Sequence, residues 1–152
     1  MVPGIDLKVL ALDETPDVVQ CVANVMNTSG GMAMAAQEAD HRAIINAATV
    51  AGCGVMGIRA VAAGSLTDAI DRTVKLHSPE QRDFDLAAPF RTLAQELGVS
   101  TALLAHQYAL AMSGVDTVVL GVKNRQELEQ ALIAESSELS SEVAQKIDVL
   151  FS

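Results

Sequence analysis

Three short apolar runs, each followed by small or turn-forming residues, alternate along the chain with segments of helical periodicity. They cover residues 17–26 (DVVQCVANVM), 53–58 (CGVMGI) and 117–120 (TVVL). Runs of this length and composition are typical of strands buried in a parallel sheet. Gln20 and Asn24 interrupt the first run four residues apart. We therefore expect both on one face of that strand, where each needs a partner or a ligand.

Between and after these strands, apolar residues recur with the spacing of amphipathic helices. Thr67 or Asp68 is expected to cap one short helix, whereas residues 77–83 are expected to form a surface loop. The other predicted helices are, in chain order, residues 35–50 before Gly52, residues 90–97 before Gly98, a helix capped by Ser100, a helix capped by Asn124 with Glu127 at its third position, and a last helix carrying Leu139, Val143, Ile147 and Leu150.

The order of strand, helix, strand, helices, strand and helices predicts an α/β fold with a parallel sheet. The chain has 152 residues, which suits one domain over residues 1–152. Three strands are few for this length, and their sheet keeps two open edges. We therefore expect the chain to be a fragment of a larger structure, or to self-associate through those edges.

Composition narrows the classes of partner. Ten basic residues against 19 acidic ones give a net charge of −9, which argues against nucleic acid and anionic membranes as partners. No segment resembles a signal peptide or a membrane span, so we expect a cytoplasmic protein. Cys21 and Cys53 lie in apolar runs without a CxxC or Cys/His cluster. They are predicted to be buried, reduced thiols, and no metal site is expected.

Three segments, taken in order, resemble the aldo-keto reductase family. PDVVQCVANVMN is similar to the sixth strand of that family's barrel, and AGCGVMGIRAVAAGSLTD to its seventh strand and following loop. ELGVSTALLAHQYALAMSGVDTVVLGVKNRQELEQAL is similar to the seventh helix, the eighth strand and the phosphate loop. The resemblance implies a partial TIM (β/α)8 barrel, its C-terminal half, with about three parallel strands. It also implies an NAD(P)H-dependent oxidoreductase that passes a hydride between nicotinamide and a carbonyl or alcohol substrate.

The resemblance implies no catalytic residue in this chain. In the family, the catalytic Asp, Tyr, Lys and His come from the first half of the barrel, which has no counterpart here. Tyr108, His41, His77 and His106 fall in predicted helices or loops, whereas barrel catalysis uses the carboxyl ends of strands. We therefore expect no turnover by the chain alone.

The resemblance does assign cofactor positions in the first two strands and their loops. Gln20 matches the glutamine that bonds the nicotinamide carboxamide; the alternative is a core glutamine satisfied by backbone groups. Ile58 matches a position where an aromatic ring often stacks on the nicotinamide. Arg59 pairs either with the pyrophosphate or with a carboxylate at the barrel mouth. Val61 and Ala63 match the small-residue loop that lies over the pyrophosphate.

The last strand leads into the second group of cofactor positions. Gly121, Val122, Lys123 and Asn124 match the loop that opens a cofactor-binding helix, whose N-terminus favours an anion. Lys123 is consistent with a 2′-phosphate and hence with NADP, although a solvated lysine is the alternative. Glu127 departs from the Arg or Gln common in the family, and an acid there repels a 2′-phosphate or bonds ribose hydroxyls. The expected cofactor is NADP, with NAD as the alternative.

Two other interpretations stay open. One is a non-enzymatic half-barrel that assembles with itself or with a separately encoded N-terminal half, because open strand edges favour pairing. The other is an unrelated α/β binding module, which leaves the two loop resemblances unexplained. A GxGxxG match at residues 52–57 lies within the predicted strand. It is not read as a dinucleotide fingerprint, since that motif follows a strand and opens a helix.

Overall fold

A computed structural model describes residues 15–28 and 40–151 of the chain. Within these residues three parallel strands form one sheet in the order β1–β2–β3. The elements are, in chain order, β1 (Val18–Val22), α1 (His41–Val50), β2 (Gly54–Ile58), a short 3₁₀ turn (Ala62–Gly64), α2 (Pro79–Leu86), α3 (Ala88–Glu96), α4 (Thr101–Ala111), β3 (Thr117–Val118), α5 (Arg125–Ser136) and α6 (Ser141–Leu150). The predicted α/β fold with a parallel sheet is confirmed.

One face of the sheet is covered by α1. Val19 and Val55 are register partners on that face, and both are 1% exposed. They pack in one apolar cluster with Ile44 and Ile45 of α1. Cys21 lies in the same cluster. We call this side of the sheet the covered face.

The opposite side, which we call the bare face, carries Val18, Gln20, Val22, Met56, Ile58 and Thr117. Val22, at the carboxyl end of β1, is only 3% exposed. Gln20, Met56 and Thr117 are register partners across the three strands, so their side chains form one row on the same face. Val18 is 52% exposed, and Gln20 and Thr117 are also exposed. The described helices therefore leave this side of the sheet largely open to solvent.

A second apolar core lies among the helices. Phe90 of α3, Leu104 of α4 and Ile147 of α6 are almost completely buried in it, together with Leu66 from the loop after β2. This core fixes the loop after β2 against α3 and α4, because Leu66 is anchored there. The loop is thereby attached to a rigid part of the molecule.

Two strands are shorter than predicted. The first ends at Val22 rather than at residue 26, so the expectation that Asn24 shares a strand face with Gln20 is wrong. Asn24 lies in the turn that follows, near Asn27, whose backbone is left-handed at φ 54°. The third strand is confined to residues 117–118. Val119 still donates its N–H to the Gly57 carbonyl at 2.8 Å, but Val119 and Leu120 are 41% exposed at the sheet edge.

Two expectations for the segment between β2 and α3 are wrong. Neither Thr67 nor Asp68 caps a helix. The Thr67 hydroxyl donates to the carbonyls of Gly64 and Ala69, and Asp68 accepts from Thr101 at the start of α4. Residues 77–83 are also not a plain loop, because α2 begins at Pro79. No residue of α2 is fully buried, so no apolar periodicity marks it.

The other helical predictions agree with the structure where it describes them, except that Leu139 precedes the N-cap of α6 and so lies outside that helix. The Ser100 hydroxyl accepts from Leu103 N at 3.1 Å, and Asn124 Oδ1 accepts from Glu127 N at 2.9 Å. Of the predicted helix over 35–50, α1 accounts for the residues from His41 onward; residues 35–39 lie outside the described part of the chain. Both cysteines are free and buried, as predicted.

Candidate functional site

The predicted cofactor residues lie on or directly after the three parallel strands. Since the carboxyl ends of parallel strands share one edge of a sheet, the loops after β1, β2 and β3 leave the sheet on the same side. Ligands of parallel α/β sheets and barrels bind at this edge. The candidate site is therefore this edge together with the adjoining bare face.

The loops after β1 and β2 are joined by one buried amide. Asn24 is 1% exposed, and its Nδ2 donates to the carbonyls of Thr28 at 2.9 Å and Arg59 at 3.1 Å. The Thr28 hydroxyl in turn donates to Asp83 Oδ2 of α2 at 3.2 Å. Asn24 thus finds the polar partners that its burial requires, and it fixes the two loops relative to each other.

The loop after β2 contains a cluster of left-handed backbone. Arg59, Ala62 and Ala63 have φ values of 61°, 46° and 57°. This region is costly for residues with a Cβ and is held only where the surroundings impose it. The N–H groups of Gly64 and Ser65 bond within the loop, to Val61 O at 2.8 Å and Ala62 O at 3.1 Å. The loop is a tight, strained turn built of small side chains.

Arg59 lies in a mixed electrostatic environment at the start of this loop. Partial burial lowers its pKa, and the like charge of Arg72 lowers it further, whereas Asp83 and Glu80 raise it. Burial in turn raises the pKa of Asp83. If Arg59 pairs with a carboxylate rather than with a pyrophosphate, Asp83 and Glu80 are therefore the candidate partners. The guanidinium stays charged, because its ordinary pKa lies far above neutrality.

Gln20 and Ile58 lie on the bare face. Gln20 is exposed, and none of the described residues hydrogen-bonds to its amide. Ile58 ends β2, and its carbonyl accepts Ala23 N at 2.9 Å while its side chain is half-buried beside Val22. The exposed Gln20 amide and the half-buried Ile58 side chain therefore share one face of the sheet.

The loop after β3 leads into α5 and is exposed. Gly121 and Val122 precede Lys123, whose backbone N–H donates to Glu127 Oε2 at 2.8 Å. Asn124 Nδ2 donates to Glu127 Oε1 at 3.1 Å. The carboxylate of Glu127 therefore takes up donors at the N-terminus of this helix, which is a variant of the capping box.

An ion pair connects the loops after β2 and β3. Lys123 Nζ pairs with Asp71 Oδ2, and Asp71 also faces Arg72 at 3.8 Å. Both members of the Lys123 pair are about half exposed or more, so the direct stabilisation it provides is small. The pair places Asp71, which follows the predicted small-residue loop in the chain, beside the loop that opens α5.

Sequence reasoning did not assign three residues at this edge. Asp71 could not be identified, because it lies 52 positions from Lys123. Asn24 was expected to need a partner, but its role as a bridge between loops was not predicted. Ser65 is 1% exposed, and its Oγ has no hydrogen-bond partner among the described residues. Buried hydroxyls without a partner are uncommon and mark unfilled hydrogen-bonding capacity in this loop.

The side chains usually associated with proton transfer lie among the helices instead. Tyr108 of α4 donates to Asp148 and accepts from Arg42 Nη2 at 2.7 Å; burial is the main reason why its pKa is raised. His106 Nδ1 bonds Ala102 O at 2.8 Å, and burial lowers the pKa of the buried His41. Tyr108 thus joins α4 to α1 and α6, and His106 bonds within α4.

Two features are absent from residues 15–28 and 40–151. None of their His, Cys, Asp and Glu side chains gather in groups of three or more that suit a metal ion. The helices described there also lack the combination of length and apolar character that a membrane crossing requires.

The chain is thus an α/β protein whose candidate site lies at the carboxyl ends of its parallel strands. This is where barrel enzymes bind their ligands. The sequence model of the aldo/keto reductase family matches residues 9–151, and the chain therefore belongs to this family. The three-stranded parallel sheet with its helices agrees with a partial α/β barrel, as the sequence predicted. No curated protein matches the chain in a sequence search.

Proposed function

We propose that this chain forms the cofactor-binding part of an NAD(P)-dependent oxidoreductase that passes a hydride between nicotinamide and a carbonyl or alcohol. The observation that carries the proposal is the common carboxyl edge of three parallel strands, from which the loops after β1, β2 and β3 leave the sheet. Together with family membership, it favours a dinucleotide whose pyrophosphate lies between these loops. Loops in these positions commonly bind phosphate in barrel enzymes.

Gln20 and Ile58 are proposed to contact the nicotinamide end. A primary amide offers two donors and an acceptor, which match those of the nicotinamide carboxamide. The open position of Gln20 on the bare face supports this role. Ile58 would shield one face of the ring as an apolar contact. The bound cofactor supplies the hydride chemistry, and these two side chains orient its reactive ring.

The loop after β2 is proposed to lie against the pyrophosphate. Val61 and Ala63 have small or apolar side chains, so this tight turn can come close to a phosphate, while the N–H groups of Gly64 and Ser65 stay bonded within the loop. Arg59 adds a positive charge nearby. Gly121, Val122 and Asn124 would form the opposite wall, because they precede the N-terminus of α5.

We assign no proton-transfer role to any residue of this chain. Tyr108 and His106 make their hydrogen bonds between or within helices, so neither is placed to act on a substrate at the sheet edge. We expect that the chain alone binds the dinucleotide without turning over a carbonyl substrate. Catalytic groups from outside these residues would complete the oxidoreductase.

Calorimetric titration of the purified chain with NADH, NADPH and ADP-ribose tests this proposal. Saturable binding of a dinucleotide is expected. Gln20→Leu should weaken dinucleotide binding about tenfold, which is the loss of about 1.4 kcal/mol. The same change should leave ADP-ribose binding unaltered, because that molecule lacks nicotinamide. Gln95→Leu, an exposed glutamine of α3, is the matched control.

Absence of binding for all three molecules at millimolar concentration would contradict the proposal. An equal effect of Gln20→Leu on ADP-ribose and NADH would place the contact of Gln20 away from the nicotinamide. An effect of Gln95→Leu as large as that of Gln20→Leu would indicate a general loss of folding.

The bare face supports a second candidate function, a non-enzymatic half-barrel that pairs through its sheet. Val18 is 52% exposed on the bare face, and Val119 is 41% exposed at the sheet edge. Exposed apolar sheet surface with free edges favours association. For this function we propose a second copy of the chain as the partner.

Sedimentation over a range of concentrations distinguishes this candidate. If the bare face is the interface, Val18→Lys should shift the chain to monomer. Val50→Lys is the matched control, because Val50 is 90% exposed at the end of α1 on the helical side. A wild-type chain that is monomeric at every concentration would exclude self-assembly.

A further inference from the structure

The loop after β2 combines strained backbone with a buried end. Ala62 and Ala63 have φ values of 46° and 57°, a left-handed conformation that alanine adopts only where its surroundings impose it. The two residues that follow the 3₁₀ turn, Ser65 and Leu66, are 1% and 0% exposed. Contacts made by these buried residues are therefore where the rest of the fold can hold the turn in its conformation.

One side chain of α3 contacts this buried end. Arg91 Nη1 donates to the Ser65 carbonyl at 3.1 Å, and Arg91 Nη2 donates to the Phe84 carbonyl of α2 at 2.6 Å. The guanidinium carbon also lies 3.8 Å from the centroid of the Phe84 ring, within the range of a cation–π contact. A planar guanidinium with its donors in a fixed fork can make these three contacts at once.

Arg91 extends from a well-packed part of α3. Its neighbour Phe90 is 0% exposed in the helical core, and Arg91 itself is half-buried. Because Ser65 is shielded from water, a charged donor holds its carbonyl more firmly than a neutral donor would. Arg91 thus joins the loop after β2 to the helical core and to α2.

We propose that Arg91 is a positioning residue for dinucleotide binding, which holds the loop after β2 in place through the Ser65 carbonyl. The inference rests on the proposed function, in which Val61 and Ala63 of this loop lie against the pyrophosphate. Arg91 acts through the loop and not by touching the ligand, because both of its Nη atoms bond backbone carbonyls. Groups that contact a ligand must be held within about 0.5 Å of their productive positions by such supporting residues.

Titration of ADP-ribose into the wild-type chain and Arg91→Lys, well below the unfolding temperature, measures this role. Lysine keeps the charge but lacks the planar fork, so it cannot hold both carbonyls and stack on Phe84. Arg91→Lys should therefore weaken ADP-ribose binding about fivefold, and the loss should persist at high ionic strength. A loss that disappears in high salt would mark a Coulombic effect on the ligand, and it would overturn the inference.

Hydrogen exchange supplies a measurement that needs no ligand. The N–H groups of Gly64 and Ser65 bond within the turn, to Val61 O at 2.8 Å and Ala62 O at 3.1 Å. Their exchange should be faster in Arg91→Lys, whereas amides in the interior of α4 should exchange as in the wild type. A merely structural role of Arg91 predicts an equal increase in α4, and that result would overturn the inference.

Arg82→Lys is the matched control. Arg82 is an exposed arginine of α2, the helix that also carries Phe84. This change should leave both the affinity for ADP-ribose and the exchange of the turn at wild-type values. An effect as large as that of Arg91→Lys would show that any arginine of this region serves equally well, contrary to the inference.

The outcomes separate this inference from the proposed function. Wild-type affinity in Arg91→Lys overturns the inference and leaves the dinucleotide site in place. Faster exchange of Gly64 and Ser65 without any loss of affinity also overturns it, because Arg91 would then order the loop without serving the ligand. Absence of binding of ADP-ribose, NADH and NADPH to the wild-type chain overturns the proposed function, and the inference falls with it.

Discussion

The two faces of the sheet differ sharply although they share the same three strands. On the covered face, Val19 and Val55 are almost fully buried against α1. On the bare face their immediate neighbours Val18 and Gln20 are exposed. Both faces are rich in apolar side chains, so hydropathy alone does not distinguish them. Among the described residues, the apolar packing against α1 therefore lies on one side of the sheet, while Val18 and Gln20 on the other side stay exposed.

The test with the largest expected effect removes part of a buried side chain on the covered face. Ile45 is 2% exposed between α1 and the sheet, and Ile45→Ala should lower the free energy of unfolding by about 2–5 kcal/mol through lost burial and a cavity. Val18→Ala on the bare face should change it by less than about 1 kcal/mol. Urea unfolding measures both. Equal losses would indicate that something covers the bare face in solution.

A test with a smaller expected effect compares two glycines of β2 at which an added Cβ would point to opposite faces of the sheet. A Cβ at Gly57 would lie 2.7 Å from the Ala23 Cβ and 3.2 Å from Val115 Cγ1, whereas at Gly54 the nearest atom is Val18 Cγ2 at 3.5 Å. Gly57→Ala should therefore cost about 1–3 kcal/mol by overpacking. Gly54→Ala should stay within about 0.5 kcal/mol of wild type.

Because both changes restrict the unfolded chain equally, the difference between their unfolding midpoints isolates the packing contribution. If Gly54→Ala were the more destabilising of the two, the assignment of tight packing to the covered face would be wrong.

The test with the smallest expected effect measures how the free energy of unfolding changes at alkaline pH. Burial on the covered face raises the pKa of Cys21 from 9.0 to about 11. In the unfolded chain the thiol ionises first, so the unfolded state loses its proton before the folded state does. The free energy of unfolding should therefore fall between pH 9.0 and about 11.

Cys21→Ala should make the free energy of unfolding fall less steeply with pH in this range, while every other titrating group stays in place. Urea midpoints measured across the alkaline range compare the two proteins. An identical slope in both would mean that the Cys21 thiol is accessible to water, and that the covered face is open as well.

Features encoded by neighbouring residues were predictable. The caps at Ser100 and Asn124 follow from a side chain that bonds a backbone N–H three residues later. The three strands were found for a similar reason, because each is a continuous apolar run. Local chemistry of this kind is fully contained in a short stretch of sequence.

Features without an apolar stripe or a local partner were not predictable. α2 has no fully buried residue, so periodicity missed it, although Ser78 and Pro79 carry the signal of a helix start. The end of β1 was misjudged because Asn24 turns the chain through bonds to Thr28 and Arg59. Arg59 is 35 positions away, and only the folded chain brings it close.

The position of the family's cofactor loops was predicted from resemblance, but their charge balance was not. Lys123 alone suggested a phosphate site. Its pairing with Asp71 depends on a contact between two loops that are separated by α2, α3 and α4. Long-range ion pairs of flexible side chains leave no pattern in the sequence, so this pairing was not predictable.

The amide of Asn24 has a thermodynamic consequence for any molecule that contacts the loops after β1 and β2. Because one buried side chain holds the Thr28 and Arg59 carbonyls together, the relative position of these loops is set when the chain folds. Binding then does not have to freeze that degree of freedom, and the entropic penalty of association is smaller by that amount. Preorganisation of this edge is thus a property of the folded chain itself.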